Sequence, residues 1–387
     1  MEPVELGSRR VGLFQSGGLP AMTVGAWLAE QDVEVEHFVA DIGQTGPMTA
    51  AQTAEWLTGE GHKAHLIDLR GEMADMALDL AACQATYGAG YWNTTSASRY
   101  VLVSGMAQML RSAGCGVLAH GCVGGGNDQA RFSRYAAALA PDVEVLIPWT
   151  QPFLLERFPD RASMGAYLAE RNYPAEVTSA AGYSIDANLA GASHESNELE
   201  SLATPPTAAT PLMTVWPVDG ADTPELMSVR FAAGRPVQIQ GQPVSSLEAL
   251  TLANAAGRRH GISLRSVVEN RVNGTKCRCV YESPGMDVLG TCVSALMQVC
   301  LDKPATALMR EISDAVSTAV YEGRVLETTH VGAASAAKQI TAALNGLVEI
   351  ELYKGNVTVR SFADLEERPE AARQTRFRHG GHHWEIG

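Results

Sequence analysis

Along the first 150 residues, short runs of consecutive apolar residues alternate with longer stretches whose apolar positions recur every three or four residues. Val11 to Phe14 is such a run, and it ends in Gln15-Ser16-Gly17-Gly18. An amphipathic stretch from Ala21 to Glu30 follows, with Met22, Ala26 and Trp27 on one face. Val33 to Ala40 reads as a second strand leading into Ala40-Asp41-Ile42-Gly43-Gln44, and a helix is predicted near Thr49 to Gly59. Ala64 to Ile67 is a strand, Glu72 to Tyr87 and Ser96 to Ala113 are helical, and Gly116 to Ala119 and Glu144 to Ile147 are further strands. Strands alternating with helices predict an α/β fold with a parallel, doubly wound sheet. Ligands on such sheets sit beyond the carboxyl ends of the strands, where the glycine-rich segments fall.

The pattern then changes. Phe153 to Arg171 reads as a helical connection with Pro159 in its turn. Leu202 to Thr223, rich in Pro, Thr and Ala, is either a flexible linker or an extended surface excursion. Leu226 to Phe231 and Pro236 to Gln240 read as antiparallel strands joined by Gly234. Ser246 to His260 is a helix, Ser263 to Asn270 a strand, and Met286 to Gly323 helical again; a hairpin over Val348 to Val359 turns at Lys354-Gly355-Asn356. These elements predict a first α/β domain over 1–165, which the resemblance given below implies to be nucleotide-binding, a second α+β domain over 166–362 and a polar tail over 363–387.

Charge narrows the partners. The net charge of −14 disfavours nucleic acid and anionic membrane surfaces, and no run of basic residues offsets it. No apolar stretch is long enough to span a bilayer, and the N-terminus lacks the apolar segment of a secretory signal. Seven scattered cysteines fit reduced thiols in a cytoplasm better than a disulfide framework. Cys277 and Cys279 read as two thiols on one strand face, and no metal site is predicted. His379, His382 and His383 lie in the glycine-rich tail, and Cys122 reads as an inert thiol.

Ser16-Gly17-Gly18, between a strand and a helix, is a candidate phosphate cradle, because glycines admit an anion to the backbone and a helix N-terminus supplies N–H donors. Taken alone it is equally a plain strand-to-helix turn. It has company in Tyr91-Trp92-Asn93-Thr94-Thr95-Ser96, Gly126-Asn127-Asp128-Gln129-Ala130-Arg131-Phe132, Tyr183-Ser184-Ile185-Asp186-Ala187-Asn188-Leu189 and Val268-Glu269-Asn270-Arg271. With Ala40 to Gln44, this set over about residues 10 to 360 resembles the argininosuccinate synthase family. The resemblance implies a PP-loop, adenine nucleotide alpha hydrolase-like domain followed by a synthetase domain. It also implies an ATP-dependent C–N ligase that adenylates the ureido oxygen of citrulline before an amine, aspartate in the family, displaces AMP. It places nucleotide contacts at Ser16, Gly17, Gly18, Ala40, Gly121, Gly124 and Gly126. It places ureido amino-acid contacts at Tyr91, Ser96, Asn127, Arg131, Ser184, Ser193, Glu269 and Tyr281. Arg131 would pair with the α-carboxylate. Asn127 and Asp128 match residues that contact aspartate, Asp128 orienting its amine, and Arg99 lies where an arginine would face phosphate.

Departures from the family pattern carry their own expectations. Where the family reads S-G-G-L-D-T-S, this chain has Ser16-Gly17-Gly18-Leu19-Pro20-Ala21-Met22, without the acid and two hydroxyls. Pro20 suits a helix start but removes an N–H, and Thr23, one position late, is at most a partial substitute because its direction on the helix differs. ATP with magnesium is therefore the expected cofactor, on a weakened cradle. Val123 and Gly125 replace a threonine and a lysine, which puts aspartate in doubt as the amine. A homo-oligomer, dimer or tetramer, is the expectation, with the tetramer in doubt because the family's C-terminal oligomerisation arm is absent or replaced by Arg368 to Gly387. A non-catalytic paralogue that binds the amino acid, and an ATP-independent enzyme reusing the pocket, are the competing readings.

Overall fold

Five parallel strands form the first sheet: β1 (Arg10–Phe14), β2 (Val35–Asp41), β3 (Lys63–Asp68), β4 (Cys115–His120) and β5 (Glu144–Leu146), in the order β3-β2-β1-β4-β5. The coordinates are a computed structural model that describes residues 9–124, 126–179 and 184–365. Gly125, Tyr183 and the histidines of the tail lie outside these residues. β1 and β4 are apolar and buried because helices cover both faces, as parallel strands require. The covering helices of this half include α1 (Leu19–Ala29), α2 (Ala50–Gly59), α3 (Arg70–Cys83), α4 (Thr94–Ser112) and α5 (Asn127–Leu139). α1 packs Met22 and Leu28 against Leu13 and Val117 on one face. α3 and α4 pack Met73, Leu110 and their neighbours against Phe14, Phe38 and Leu118 on the other. Helix starts follow local chemistry: Thr49 caps α2 in a reciprocal box with Gln52. The stretch expected to stay helical to Tyr87 stops at Cys83, where Gln84 turns left-handed at φ 54°.

The strand order reverses between β1 and β4, so the loops after these two strands open a crevice at their carboxyl ends. Ser16–Gly18 and 121–124 occupy those loops.

The second half is antiparallel. β6 (Ser184–Asn188) and β7 (Gly191–Glu195) form a hairpin. β8 (Glu225–Ala232), β9 (Arg235–Ile239), β10 (Gln242–Pro243), β11 (Leu264–Asn270), β12 (Lys276–Glu282), β13 (Gly346–Tyr353) and β14 (Asn356–Ala363) follow. They assemble as β11-β12-β7-β6 and β10-β9-β8-β13-β14. In the four-stranded sheet Asp186 pairs with Ser193, Ser193 with Tyr281, and Glu269 with Cys277. The two-residue alternation therefore puts Ser184, Asp186, Ser193, Glu195, Tyr281, Cys279, Cys277 and Glu269 on one face.

That face closes over the crevice because the halves share a core. The helix Pro284–Cys300 packs on α3, Gln84 Nε2 donates to the Gly290 carbonyl at 3.0 Å, and Trp92 Nε1 donates to Asp287 at 2.6 Å. A Cβ on Gly290 would come within 2.5 Å of the Trp92 ring, so this approach needs glycine. The 202–223 stretch is an excursion held in place, not a free linker. The buried Glu282 carboxylate accepts from the amides of Leu212, Met213 and Thr214, each at 2.7 Å.

Candidate functional site

Two adjoining cavities fill the crevice. The larger, about 640 Å³, lies over the ends of β1, β2 and β4. Phe14, Phe38, Ile42, Leu102, Met106 and Phe132 line one part of it, a slot suited to a flat apolar ring. Ser16, Gly18, Leu19, Pro20 and Ala21 line another, beside Ala40, Gly121 and Arg99. The smaller, about 270 Å³, lies between α4, α5 and the four-stranded sheet. Val123, Asp128, Asp186, Ser193 and Glu195 border both.

The first loop is built as a turn into α1. Gly17 sits at φ +76°, and a Cβ there would meet the Thr53 hydroxyl at 2.4 Å, so its role is to make the turn; it lines neither cavity. Gly18 caps α1, and Pro20 is the second helical residue, not the first. The first backbone bond of the helix runs from Met22 N–H to Gly18 O at 3.0 Å. The amides of Leu19 and Ala21 therefore have no intrahelical acceptor, and Pro20 has no N–H to offer. Gly17 N–H meets Gln15 Oε1 at 3.1 Å and Gly18 N–H meets Ser16 Oγ at 3.4 Å. Thr23 does not replace the missing hydroxyls: it is fully buried and donates to Leu19 O at 2.8 Å. Met22 is equally buried, in the core beneath the loop.

Asp128, in the first turn of α5, holds the wall between the cavities. Its Oδ1 accepts from Arg131 and its Oδ2 from Arg99, both at 2.9 Å, and Arg99 also pairs with Asp186. Burial opposes ionisation of Asp128, but the two guanidiniums outweigh it and hold the carboxyl well below the usual range. Asp186 goes the other way: burial raises it, Asp128's charge adds to that, and Arg99 only partly offsets both. Arg99 is thus already engaged by Asp128 and Asp186.

Deeper in the smaller cavity, Glu269 accepts from Tyr281 Oη at 2.9 Å and Tyr321 Oη at 2.6 Å. Asn127 Nδ2 donates to Tyr321 Oη at 2.9 Å, and Arg131 Nε donates to Tyr321 O at 2.8 Å. Tyr91 stacks on Tyr281 with centroids 4.0 Å apart, and its hydroxyl accepts from Thr95 N–H at 2.9 Å. Burial pushes the Tyr91 hydroxyl up to about 12, so it stays a neutral donor. The buried Glu269 carboxylate and the Arg131 guanidinium thus flank the same residue, Tyr321, with hydroxyls beside them, which suits the ammonium and carboxylate that an amino acid carries on one carbon.

The expected residues gather with exceptions. Tyr91, Asn127, Asp128, Arg131, Ser193, Glu269 and Tyr281 line the smaller cavity. Ser96 does not. It is fully buried with no hydroxyl partner, and Thr95, one helix position earlier, lines the wall in its place. Ser184 lines the larger cavity only. Ser16, Gly18, Ala40 and Gly121 line the expected nucleotide cavity, whereas Gly124 and Gly126 border the smaller one. Gly121 earns its place by packing, since a Cβ there would lie 2.5 Å from Ala21 Cα. Cys122 borders the larger cavity, and burial raises its thiol, which suits an inert group. Sequence reasoning missed Tyr321, Asp186, Glu195, Arg271 and Cys277. Strand alternation from Ser193 and Tyr281 would have found Glu195 and Cys277.

Two family profiles match the chain: the arginosuccinate synthase N-terminal HUP domain over residues 10–174 and the arginosuccinate synthase C-terminal domain over residues 183–366. A relative named argininosuccinate synthase from Idiomarina loihiensis is 34% identical over 352 residues, covering 90% of this chain and 86% of its own. Another of that name from Shewanella amazonensis is 33% identical over 358 residues, covering 92% of this chain and 87% of its own.

Proposed function

The chain belongs to the argininosuccinate synthase family, and from that premise we propose that it is an ATP-dependent C–N ligase acting on citrulline or a similar ureido amino acid. The observation that carries this is the pair of cavities meeting at one wall. The amino acid would occupy the smaller, its ammonium toward Glu269 and its carboxylate toward Arg131, Tyr91, Ser193 and Tyr281 completing the contacts. ATP would place its base among Phe14, Phe38 and Met106 and its phosphates at Ser16–Ala21. The ureido oxygen then meets the α-phosphorus at the shared wall. Adenylation turns a poor leaving oxygen into a good one, and holding both partners in line supplies the remaining advantage.

The nucleotide fits the cradle in shape but with few grips. The amides of Leu19 and Ala21, which have no intrahelical acceptor, would face the phosphates, while Pro20, Ala21 and Met22 contribute no hydroxyl or acid. Among the described residues no group of three or more His, Cys, Asp or Glu could hold a metal ion, so magnesium would be carried on the phosphates. The reading is tested by citrulline-dependent exchange of labelled pyrophosphate into ATP, and exchange above background is expected. The inward-turned Thr23 and the self-satisfied Gly17 and Gly18 amides favour a second reading, a binding protein that no longer activates ATP. Citrulline binding without exchange would support that one.

A further inference from the structure

An amine reaches a site at neutral pH largely as an ammonium, which has no lone pair to attack carbon. A ligase of the kind proposed above must remove one proton before C–N bond formation. The acceptor must sit where the two cavities meet, because the ureido carbon lies there. Three carboxylates border that wall: Asp128, Asp186 and Glu195.

Their partners separate them. Both oxygens of Asp128 are taken by guanidiniums, and the carboxyl is pinned in its ionised, weakly basic form. Asp186 is tied to Arg99. Glu195, at the end of β7, opens onto both cavities. The charged and titratable groups around it are Asp128 on α5, Asp186 on β6, Cys279 on β12 and Arg271 just past β11. Although the residue is exposed at the strand end, desolvation of its carboxyl beside the two cavities, then the charge of Asp128 and to a lesser degree that of Asp186, push it upward, against the pull of Arg271 and a hydrogen bond with the Cys279 thiol. A carboxylate moved upward is a better proton acceptor near neutrality.

We infer that Glu195 is the general base of the coupling step, taking a proton from the ammonium of the incoming amine; this rests on the ligase reading. The freed nitrogen pair then forms the new bond to the ureido carbon. The C–O bond to the adenylate breaks as that centre collapses, and AMP leaves with the oxygen. The nitrogen's second proton goes to the departing phosphate, which leaves a guanidinium product.

The test compares nucleophiles in wild type, Glu195→Gln and Glu195→Asp. AMP formation with citrulline and ATP is followed using hydroxylamine, already neutral at pH 7.5. It is then followed using whichever of aspartate, lysine and putrescine the wild type couples fastest. In Glu195→Gln, coupling of the ammonium-bearing amine should fall about a hundredfold or more, while hydroxylamine coupling falls less than about fivefold. Glu195→Asp should recover part of the loss. The wild-type rate with the protonated amine should be level near neutrality and decline as pH falls and Glu195 becomes protonated, whereas the Gln variant, which can use only free amine, should keep losing about tenfold per pH unit through the whole range. Equal losses with both nucleophiles, no loss with either, or a wild type that couples hydroxylamine but none of the three amines would overturn the assignment. Absence of citrulline-dependent pyrophosphate exchange in the wild type would instead overturn the ligase reading on which it rests.

Discussion

Replacing Ala21 with threonine should restore one grip on the nucleotide. Ala21 lines the larger cavity in the first turn of α1, and its neighbour Pro20 lacks an N–H. Ala21 is itself buried and Gly121 closes one side of it, a Cβ there lying 2.6 Å from the Ala21 methyl group, so an added hydroxyl gains only by pointing into the cavity that Ala21 lines. A hydrogen bond to a charged oxygen is worth about 1.5–3 kcal/mol, which corresponds to about a 10- to 150-fold lower Kd. Valine at the same position has nearly the same shape and no hydroxyl. Isothermal titration with magnesium and a non-hydrolysable ATP analogue should show the gain for Ala21→Thr only. Equal Kd values for the Thr and Val variants would refute the account of the loop. Met22 is left unchanged for a structural reason: it is fully buried against Leu13 and Val117, and a serine there would cost core packing without facing the phosphates.

Three further outcomes follow from the same geometry. Asp128→Asn should destabilise the protein by about 3 kcal/mol, the lower end for breaking a buried ion pair, because Arg131 loses its carboxylate while Arg99 keeps Asp186; a urea midpoint unchanged from wild type would contradict this. Glu269→Gln should weaken citrulline binding by about 1.5–3 kcal/mol by removing the partner of the ammonium, and calorimetry reading an unchanged Kd would contradict it. His37 and His120 are held neutral by burial, at about 3 and about 4 against an ordinary 6.5. Their folded-state values lie below the unfolded one, so the unfolded chain binds more protons once pH drops below 6.5, and stability falls with it. At pH 5 each costs about 2 kcal/mol relative to pH 7.5, and His37→Leu should remove about half of the joint loss in urea unfolding.

The parallel half of the fold was legible because its strands are continuous apolar runs and its helices carry their own signals, as Thr49 and Gln52 do for α2. The antiparallel half was read less completely. The β6–β7 hairpin escaped notice because its strands are short and poor in large apolar residues: Ile185 is the one large apolar side chain and it is exposed, while β7 buries Gly191, Ala192, Ser193 and His194. The helix Thr328–Thr341 escaped because only Ala337 and Thr341 are buried in it. In the site, motif strings located Tyr91, Asn127, Asp128, Arg131, Ser193, Glu269 and Tyr281. They could not tell Thr95 from Ser96, which differ by one helix step. Tyr321 was invisible because its role comes from a distant helix packing its ring on Tyr87 at 3.7 Å. The sequence shows Thr23 one position late and differently directed on the helix, but only the built helix shows its hydroxyl bound to Leu19.

Isotope transfer tests the central claim directly. If the ureido oxygen is adenylated at the wall between the two cavities, the bond that breaks on coupling is the one from that oxygen to the ureido carbon. Citrulline carrying oxygen-18 in its ureido group, incubated with the protein, ATP, magnesium and hydroxylamine, should yield AMP with one oxygen-18 on phosphorus by mass spectrometry. AMP without the heavy oxygen, or no AMP while citrulline binds, would contradict the account.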